Sequence, residues 1–197
     1  MSFKRVEIFE NRIAKFFGSK YAISTDSCTH AIELCLRYLS PPKKIYFPKN
    51  TYVGIPMLAN KLNLKWGWKD EKWFDYYFIS NTNIIDAAVL WKKNSYIRKT
   101  FMCISFQFQK HINIGRGGII LLDSKKAYNK ILNMSYDGRN RGIPWRNQNI
   151  SQYGYHYYMT PESANLGIEI FKKKYNTKPK LWNYNDYPDL SRMKVFK

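Results

Sequence analysis

The feature that most constrains the fold of this chain is the alternation of short apolar runs with helix-length amphipathic segments over its first 68 residues. Residues Val6–Phe17 place Phe9, Ile13 and Phe16 on one helical face, and Gly18 is a natural stop. Lys20–Thr25 reads as a strand. Asp26-Ser27-Cys28-Thr29 opens a second helix with Ile32, Cys35, Leu36 and Leu39 as its apolar stripe, ended by Pro41-Pro42. Lys44–Phe47 reads as a strand, Pro48-Lys49-Asn50 as a turn, Thr51–Leu62 as a third helix and Leu64–Trp68 as another strand. Strands separated by helices normally lie side by side in parallel. The expected fold class is therefore α/β, a mostly parallel sheet flanked by helices.

The middle of the chain is tighter. Phe74–Ile79 and Ile84–Ala88 both have strand character, with only residues 80–83 between them. A parallel crossover needs about a dozen residues or more. Either the two pair as a hairpin, or one lies outside the sheet. Thr100–Phe106 and Gly118–Leu122 are expected strands on either side of a loop containing Lys110, followed by a helix over Lys125–Leu132. A polar, turn-rich stretch over 137–154 precedes a helix over Pro161–Lys173, with Ala164, Ile168 and Phe171 on one side. Residues 1–174 thus read as one compressed α/β domain, and 175–197 as an irregular tail.

At 197 residues, with 45% hydrophobic and 17% aromatic residues, the chain has the material for a real core. Its 33 Lys and Arg against 14 Asp and Glu give a net charge of +19, which favours anionic partners: phosphates, nucleotides, nucleic acid or membrane surfaces. Most of that charge is dispersed, as on a solvated surface, apart from a denser run at Lys172–Lys174, Lys178 and Lys180. Cys28, Cys35 and Cys103 lack metal-ligand spacing, so no metal site is expected and a reduced cytoplasmic compartment is the simplest reading. The N-terminal residues show no apolar signal core, and no stretch approaches the ~20 apolar residues of a membrane span, so no membrane association is expected.

Three features converge on one chemistry. An acid, Asp86, closes an apolar run; Ser105 and Lys110 follow the apolar Phe101–Ile104; and Gly115-Arg116-Gly117-Gly118 supplies a glycine-rich turn. An acid to hold a ring nitrogen, a lysine to form a Schiff base and a hydroxyl for a phosphate are what a pyridoxal phosphate site needs. Lysine is abundant here, so Lys110 alone would read as a solvated surface charge. An acid in a buried strand needs a partner, which favours a site role for Asp86 over a plain strand-end carboxylate. Ser27, Cys28 and Thr29 stand where a helix begins. Their N–H groups suit a phosphate, and an ordinary N-cap is equally compatible with them.

The ordered motifs resemble the DegT/DnrJ/StrS family of pyridoxal-phosphate-dependent sugar aminotransferases. Phe9–Ala22 is similar to the family's opening helix and first strand. Ser27-Cys28-Thr29 is similar to its Ser-(Gly/Cys)-Thr phosphate turn, and Pro48-Lys-Asn-Thr-Tyr52-Val53 to its next strand-to-helix turn. Ile85-Asp86-Ala87-Ala88 resembles Glu-Asp-Ala-Ala, and Ser105–Gly118 resembles Ser-Phe-x-x-x-Lys-x-x-x-x-Gly-x-Gly-Gly. Gly154–Thr160 resembles Gly-Tyr-Asn-Tyr-Arg-Met-Thr. The resemblance implies a fold type I large domain and Lys110 as the Schiff-base lysine and proton shuttle. It implies Asp86 on the pyridine nitrogen, Tyr52 flat on the ring, and Ser27, Cys28, Thr29 and Ser105 on the phosphate. His156 would reach the phosphate of a neighbouring subunit, which implies a homodimer or higher oligomer with a shared active site. The implied reaction moves an amino group from a glutamate-like donor to a keto-sugar nucleotide.

The sequence departs from that family in several places. The chain is much shorter, with the C-terminal small domain largely missing. Val89 stands where the family generally has Gln, His156 where it has Asn or Lys, and Tyr158 where it has Arg. Two other readings therefore stand beside the enzyme: a shortened cofactor-binding or partner-subunit protein of weak or no activity, and a basic nucleic-acid-binding protein. The last ranks lowest, because no recognised nucleic-acid motif is present.

Overall fold

A computed structural model describes residues 3–41 and 43–197. Helix α1 (Lys4–Phe17) buries Val6, Phe9, Ile13, Phe16 and Phe17, and stops where Gly18 turns left-handed at φ 82° and returns its N–H to Ala14. Strand β1 (Tyr21–Thr25) leads to α2 (Cys28–Leu39), capped by the Ser27 hydroxyl, which accepts from the His30 N–H. That helix ends at Ser40, itself left-handed at φ 45°. Pro41 follows, and Pro42 lies outside the described residues. Strand β2 (Ile45–Pro48), helix α3 (Gly54–Lys61) and strand β3 (Trp66–Lys69) come next. The third helix starts at Gly54, three residues later than Thr51, without a side-chain cap, and the Thr51 hydroxyl is bonded to Tyr77.

Strands β4 (Tyr77–Ile79) and β5 (Ile84–Asp86) form an antiparallel hairpin, which settles the open question about this segment. Strands β6 (Phe101–Ser105) and β7 (Gly118–Leu122) are followed by α4 (Lys125–Met134) and α5 (Pro161–Lys174). The large sheet runs β1-β7-β6-β5-β4, and β2 pairs with β3 in a separate parallel pair.

The sheet is mixed rather than mostly parallel. Only β5–β6 in the large sheet is parallel; β1–β7, β6–β7 and β4–β5 are antiparallel. The connections explain this. Residues 80–83 and the Lys110 loop contain no helix, so each returns the chain directly beside the strand it left. Helix α2 does lead from β1 towards β2, but β2 pairs with β3; it packs beside β4 and is linked to it by an isolated bridge between Tyr46 and Ser80 rather than by a ladder.

Alternation along the central strands divides two cores. Phe101, Cys103, Ile120 and Leu122 pack with α2, α3 and α4, while Met102, Ile104, Ile119 and Leu121 pack with α1 and α5. The segment after Tyr175 holds only single 3-10 turns, yet it folds back onto the body of the protein. Its Leu190 is buried and gives its N–H to the Lys49 carbonyl, and Trp73 receives Tyr187 against its ring at 5.4 Å. No described helix is long and apolar enough to cross a membrane.

Candidate active site

The chemistry-bearing residues meet in a cavity of about 550 Å³ between the start of α2, the end of β5, the Lys110 loop and the folded-back tail. Ser27, Cys28 and Thr29, then Tyr52, Asp86, Ser105 and Lys110, all line it. His156 does not. It lies on the outer surface, its side chain 69% exposed and paired with Asp137 at 3.1 Å.

Asp86 ends β5 with its carboxylate buried. The Tyr77 hydroxyl donates to Oδ2 at 2.6 Å and the Ala88 N–H donates to Oδ1 at 3.0 Å. Tyr77 is in turn bonded to Thr51, so the start of the α3 turn and the hairpin fix one carboxylate together. Burial raises the Asp86 pKa, and the two donors and the Lys110 ammonium pull against that rise. The Tyr77 hydroxyl, desolvated and beside that acid, is pushed well above the usual phenol range and stays a donor.

Ser105 closes β6, and Lys110 sits in the loop beyond it rather than on the strand. The loop is folded by its own backbone. Ile114 N–H meets the Phe106 carbonyl at 3.0 Å, Phe108 N–H meets Gly115 at 3.0 Å, and Lys110 N–H meets Gln107 at 2.8 Å. Ile112 and Ile114 anchor it in the core. Burial lowers the Lys110 pKa, while the Asp86 carboxylate raises it. Burial thus pushes both Asp86 and Lys110 towards their uncharged forms, and each pulls the other back.

The α2 turn is held close to the sheet. A Cβ on Gly118 would fall 2.4 Å from the Cys28 backbone nitrogen, so only glycine lets β7 approach there. Tyr52 is 56% exposed, and a Cβ on Gly54 would fall 2.7 Å from its ring, so that glycine makes room for the aromatic. Asp26 ties together two cationic or potentially cationic groups at this end, Arg116 at 2.9 Å and His30 at 2.6 Å. His30 lies flat on Tyr157, ring centroids 3.7 Å apart. The Cys28 thiol is buried, which together with Asp86 pushes its pKa well up and keeps it protonated.

Sequence reasoning missed the tail. Trp182, Asp186 and Tyr187 line the cavity, and Lys110 Nζ lies 4.6 Å from the Trp182 ring centroid. The available signal was the Asn183-x-x-Asp186 pattern, which forms a capping box, amid a cluster of aromatics. Val89 is buried in the core beneath α2, so Ala88 rather than Val89 borders the cavity.

The model of the DegT/DnrJ/EryC1/StrS aminotransferase family matches residues 1–66 and 94–180. This chain belongs to that family. Asp86 falls between the two matched stretches, in the compressed region around the β4–β5 hairpin. No curated protein sequence matches. Among solved structures, the chain is similar to AtS13 from Actinomadura melliaura, with a TM-score of 0.74 and 16% identity over 87% of this chain and 60% of that one. It is also similar to the sugar aminotransferase CalS13 from Micromonospora echinospora, with a TM-score of 0.70 and 12% identity over 86% and 60%. A GDP-4-keto-6-deoxymannose-3-dehydratase, solved with a trapped PLP-glutamate geminal diamine, gives a TM-score of 0.67 and 19% identity over 86% and 60%. At these identities the likeness speaks for the fold, the α/β large-domain architecture that the family resemblance implied. The chain spans about 60% of the length of these structures.

The donor set suits pyridoxal phosphate. A buried carboxylate whose two oxygens are already oriented, a half-buried amine and a hydroxyl-bearing helix start all face one cavity.

Proposed function

We propose that this chain binds pyridoxal 5'-phosphate through Lys110 and transfers an amino group from a glutamate-like donor to a keto-sugar nucleotide. The observation that carries the reading is that Asp86 and Lys110, on separate elements, face the same cavity as the Ser27–Thr29 turn and Ser105. Lys110 would anchor the cofactor and, when released by an incoming amine, carry a proton to and from the substrate carbon that bears nitrogen. Asp86, oriented by Tyr77 and the Ala88 N–H, would accept from the protonated ring nitrogen. When bound, the cofactor supplies an electron sink for a carbanion. Tyr52 would cover a ring face. The N–H groups of Cys28 and Thr29, with the hydroxyls of Ser27, Thr29 and Ser105, would receive the phosphate. The exposed His156 would serve the site of a second subunit, which makes the working unit a homodimer or larger.

A second reading is favoured by Val89. A buried valine offers no hydrogen bond at a position where the resemblance leads one to expect an amide. On that reading the chain holds the cofactor, or a partner subunit, with little turnover.

An absorbance spectrum separates these readings. Purified protein with added pyridoxal phosphate should gain a visible band that disappears with Lys110→Ala. Conversion of that band by glutamate supports transamination. A stable band that no amino donor converts supports the second reading. A protein that takes up no cofactor overturns the first reading and the cofactor-holding half of the second.

A further inference from the structure

The folded-back tail is a built wall of the cavity. The Trp182 carbonyl accepts from Asp75 N–H at 3.0 Å, and Tyr184 N–H donates to the Trp73 carbonyl at 3.1 Å. Asn50 Nδ2 donates to the Tyr187 carbonyl at 3.0 Å, and Leu190 is bonded to Lys49. These contacts fix residues 182–190 against the body of the protein.

The Trp182 indole is shared by two ammonium groups. Lys180 Nζ stands 3.8 Å from its centroid and Lys110 Nζ 4.6 Å. The two charges therefore lie within roughly 8 Å of each other, about one Debye length at physiological ionic strength, where like charges are still felt. Lys180 also donates to Asp186 Oδ1 at 3.2 Å, and Asp186 accepts the Asn183 N–H at 2.9 Å. The Asn183 N–H and Lys180 both lower the Asp186 pKa, so this acid stays ionised.

We propose that Lys180 and Asp186 are positioning residues that act through Lys110, setting the protonation of its nitrogen from the tail. The inference rests on Lys110 being the reacting amine of the proposed function. Neither residue needs to touch the substrate. Lys180 disfavours a second cation on the shared indole, and Asp186 favours it. The other titratable or charged groups on this cavity are Asp86 from β5, Cys28 and His30 from α2, Tyr187 from the tail, Tyr52 from the turn before α3, and Arg116 from the loop. None of these is altered in the test.

The test uses the full chain with Lys180→Met, Asp186→Asn and Lys180→Arg. Lys180 is an exposed side chain, and Asn at 186 keeps an oxygen to accept the Asn183 N–H, so the tail stays docked. Two pH midpoints are read. One is that of the visible band in protein loaded with pyridoxal phosphate. The other is that of Lys110 modification by formaldehyde and cyanoborohydride without cofactor, followed by peptide mass spectrometry. Lys180→Met should raise both midpoints by roughly a few tenths of a pH unit, and Asp186→Asn should lower them, with Lys180→Arg close to wild type. Shifts absent in both variants, or both in one direction, overturn the inference. If the wild type shows no visible band, the proposed function fails, and the labelling midpoints still decide for or against the role of the tail.

Discussion

Tyr77 holds Asp86 through a 2.6 Å hydrogen bond at the open end of the hairpin, where the two are strand partners, so the hairpin sets the direction in which the carboxylate points. In Tyr77→Phe one oxygen of a buried carboxylate loses its donor. The expected cost is about 1–3 kcal/mol of stability. Pyridoxal phosphate affinity should fall by roughly tenfold, because the acid is no longer aimed; one such factor is 1.4 kcal/mol. Chemical denaturation and a spectral titration check the two numbers separately.

Asp86 should also leave a signature in stability against pH. Burial, only partly offset by Tyr77, Ala88 and Lys110, raises its pKa in the folded state. The folded chain then binds this proton more tightly than the unfolded chain does. Stability of the cofactor-free protein should fall as pH rises from the ordinary carboxylate value of about 4 through the raised folded value. Asp86→Asn should remove that slope. Thermal melts of the two proteins across this window compare them, and parallel curves would contradict the expectation.

Glu33 should behave in the opposite sense. Although burial pushes its pKa up, hydrogen bonds and charge from Lys61 and Arg37 outweigh it and leave the pKa lowered. Lys61 Nζ and Arg37 reach it at 2.9 and 2.8 Å, and the Tyr157 hydroxyl at 3.2 Å. A depressed folded pKa gives stability that is present above the unfolded value and lost as pH falls through the folded one. Glu33→Gln should therefore be less stable than wild type at neutral pH, with the gap closing in acid. Because Tyr157 also carries His30 on its ring, the same variant should loosen the α2 end of the cavity, read as faster cofactor release.

Gly118 tests the close approach of β7 to the α2 turn. Adding one methyl places a carbon 2.4 Å from the Cys28 nitrogen, a contact with backbone that no rotamer relieves. Gly118→Ala should cost about 1–3 kcal/mol and weaken cofactor binding together with stability. Gly115→Ala meets no neighbour within 4 Å, and it carries strain only from its φ of 82°. It should cost about 1–2 kcal/mol and leave affinity nearer to wild type.

The helices and most strands were legible because their signals are local. The stripe of α1, its glycine stop and the Ser27 cap each act within a turn or two. Strand pairing was less legible, because alternation shows which face of β6 and β7 is buried but not which neighbour lies beside it. The connection lengths did speak. Four residues between β4 and β5 excluded a crossover, whereas the connection over residues 106–117 is long enough for one, so length alone left the β6–β7 pairing open. Of the candidate site, seven residues that the motifs and the family resemblance singled out reach one cavity, and His156 lies elsewhere. The place of Trp182, Asp186 and Tyr187 on the cavity was out of reach because it depends on long-range hydrogen bonds to the Asn50 side chain and to the Trp73 and Asp75 backbone. Periodicity carries no trace of such partners.

The wall that carries Trp182 stands apart in chain order from the rest of the cavity lining. Every β-strand and α-helix precedes residues 182–190 in chain order. The cavity is therefore complete only when residues 182–190 are docked against the body, so its closure depends on tertiary contacts rather than on any one strand or helix.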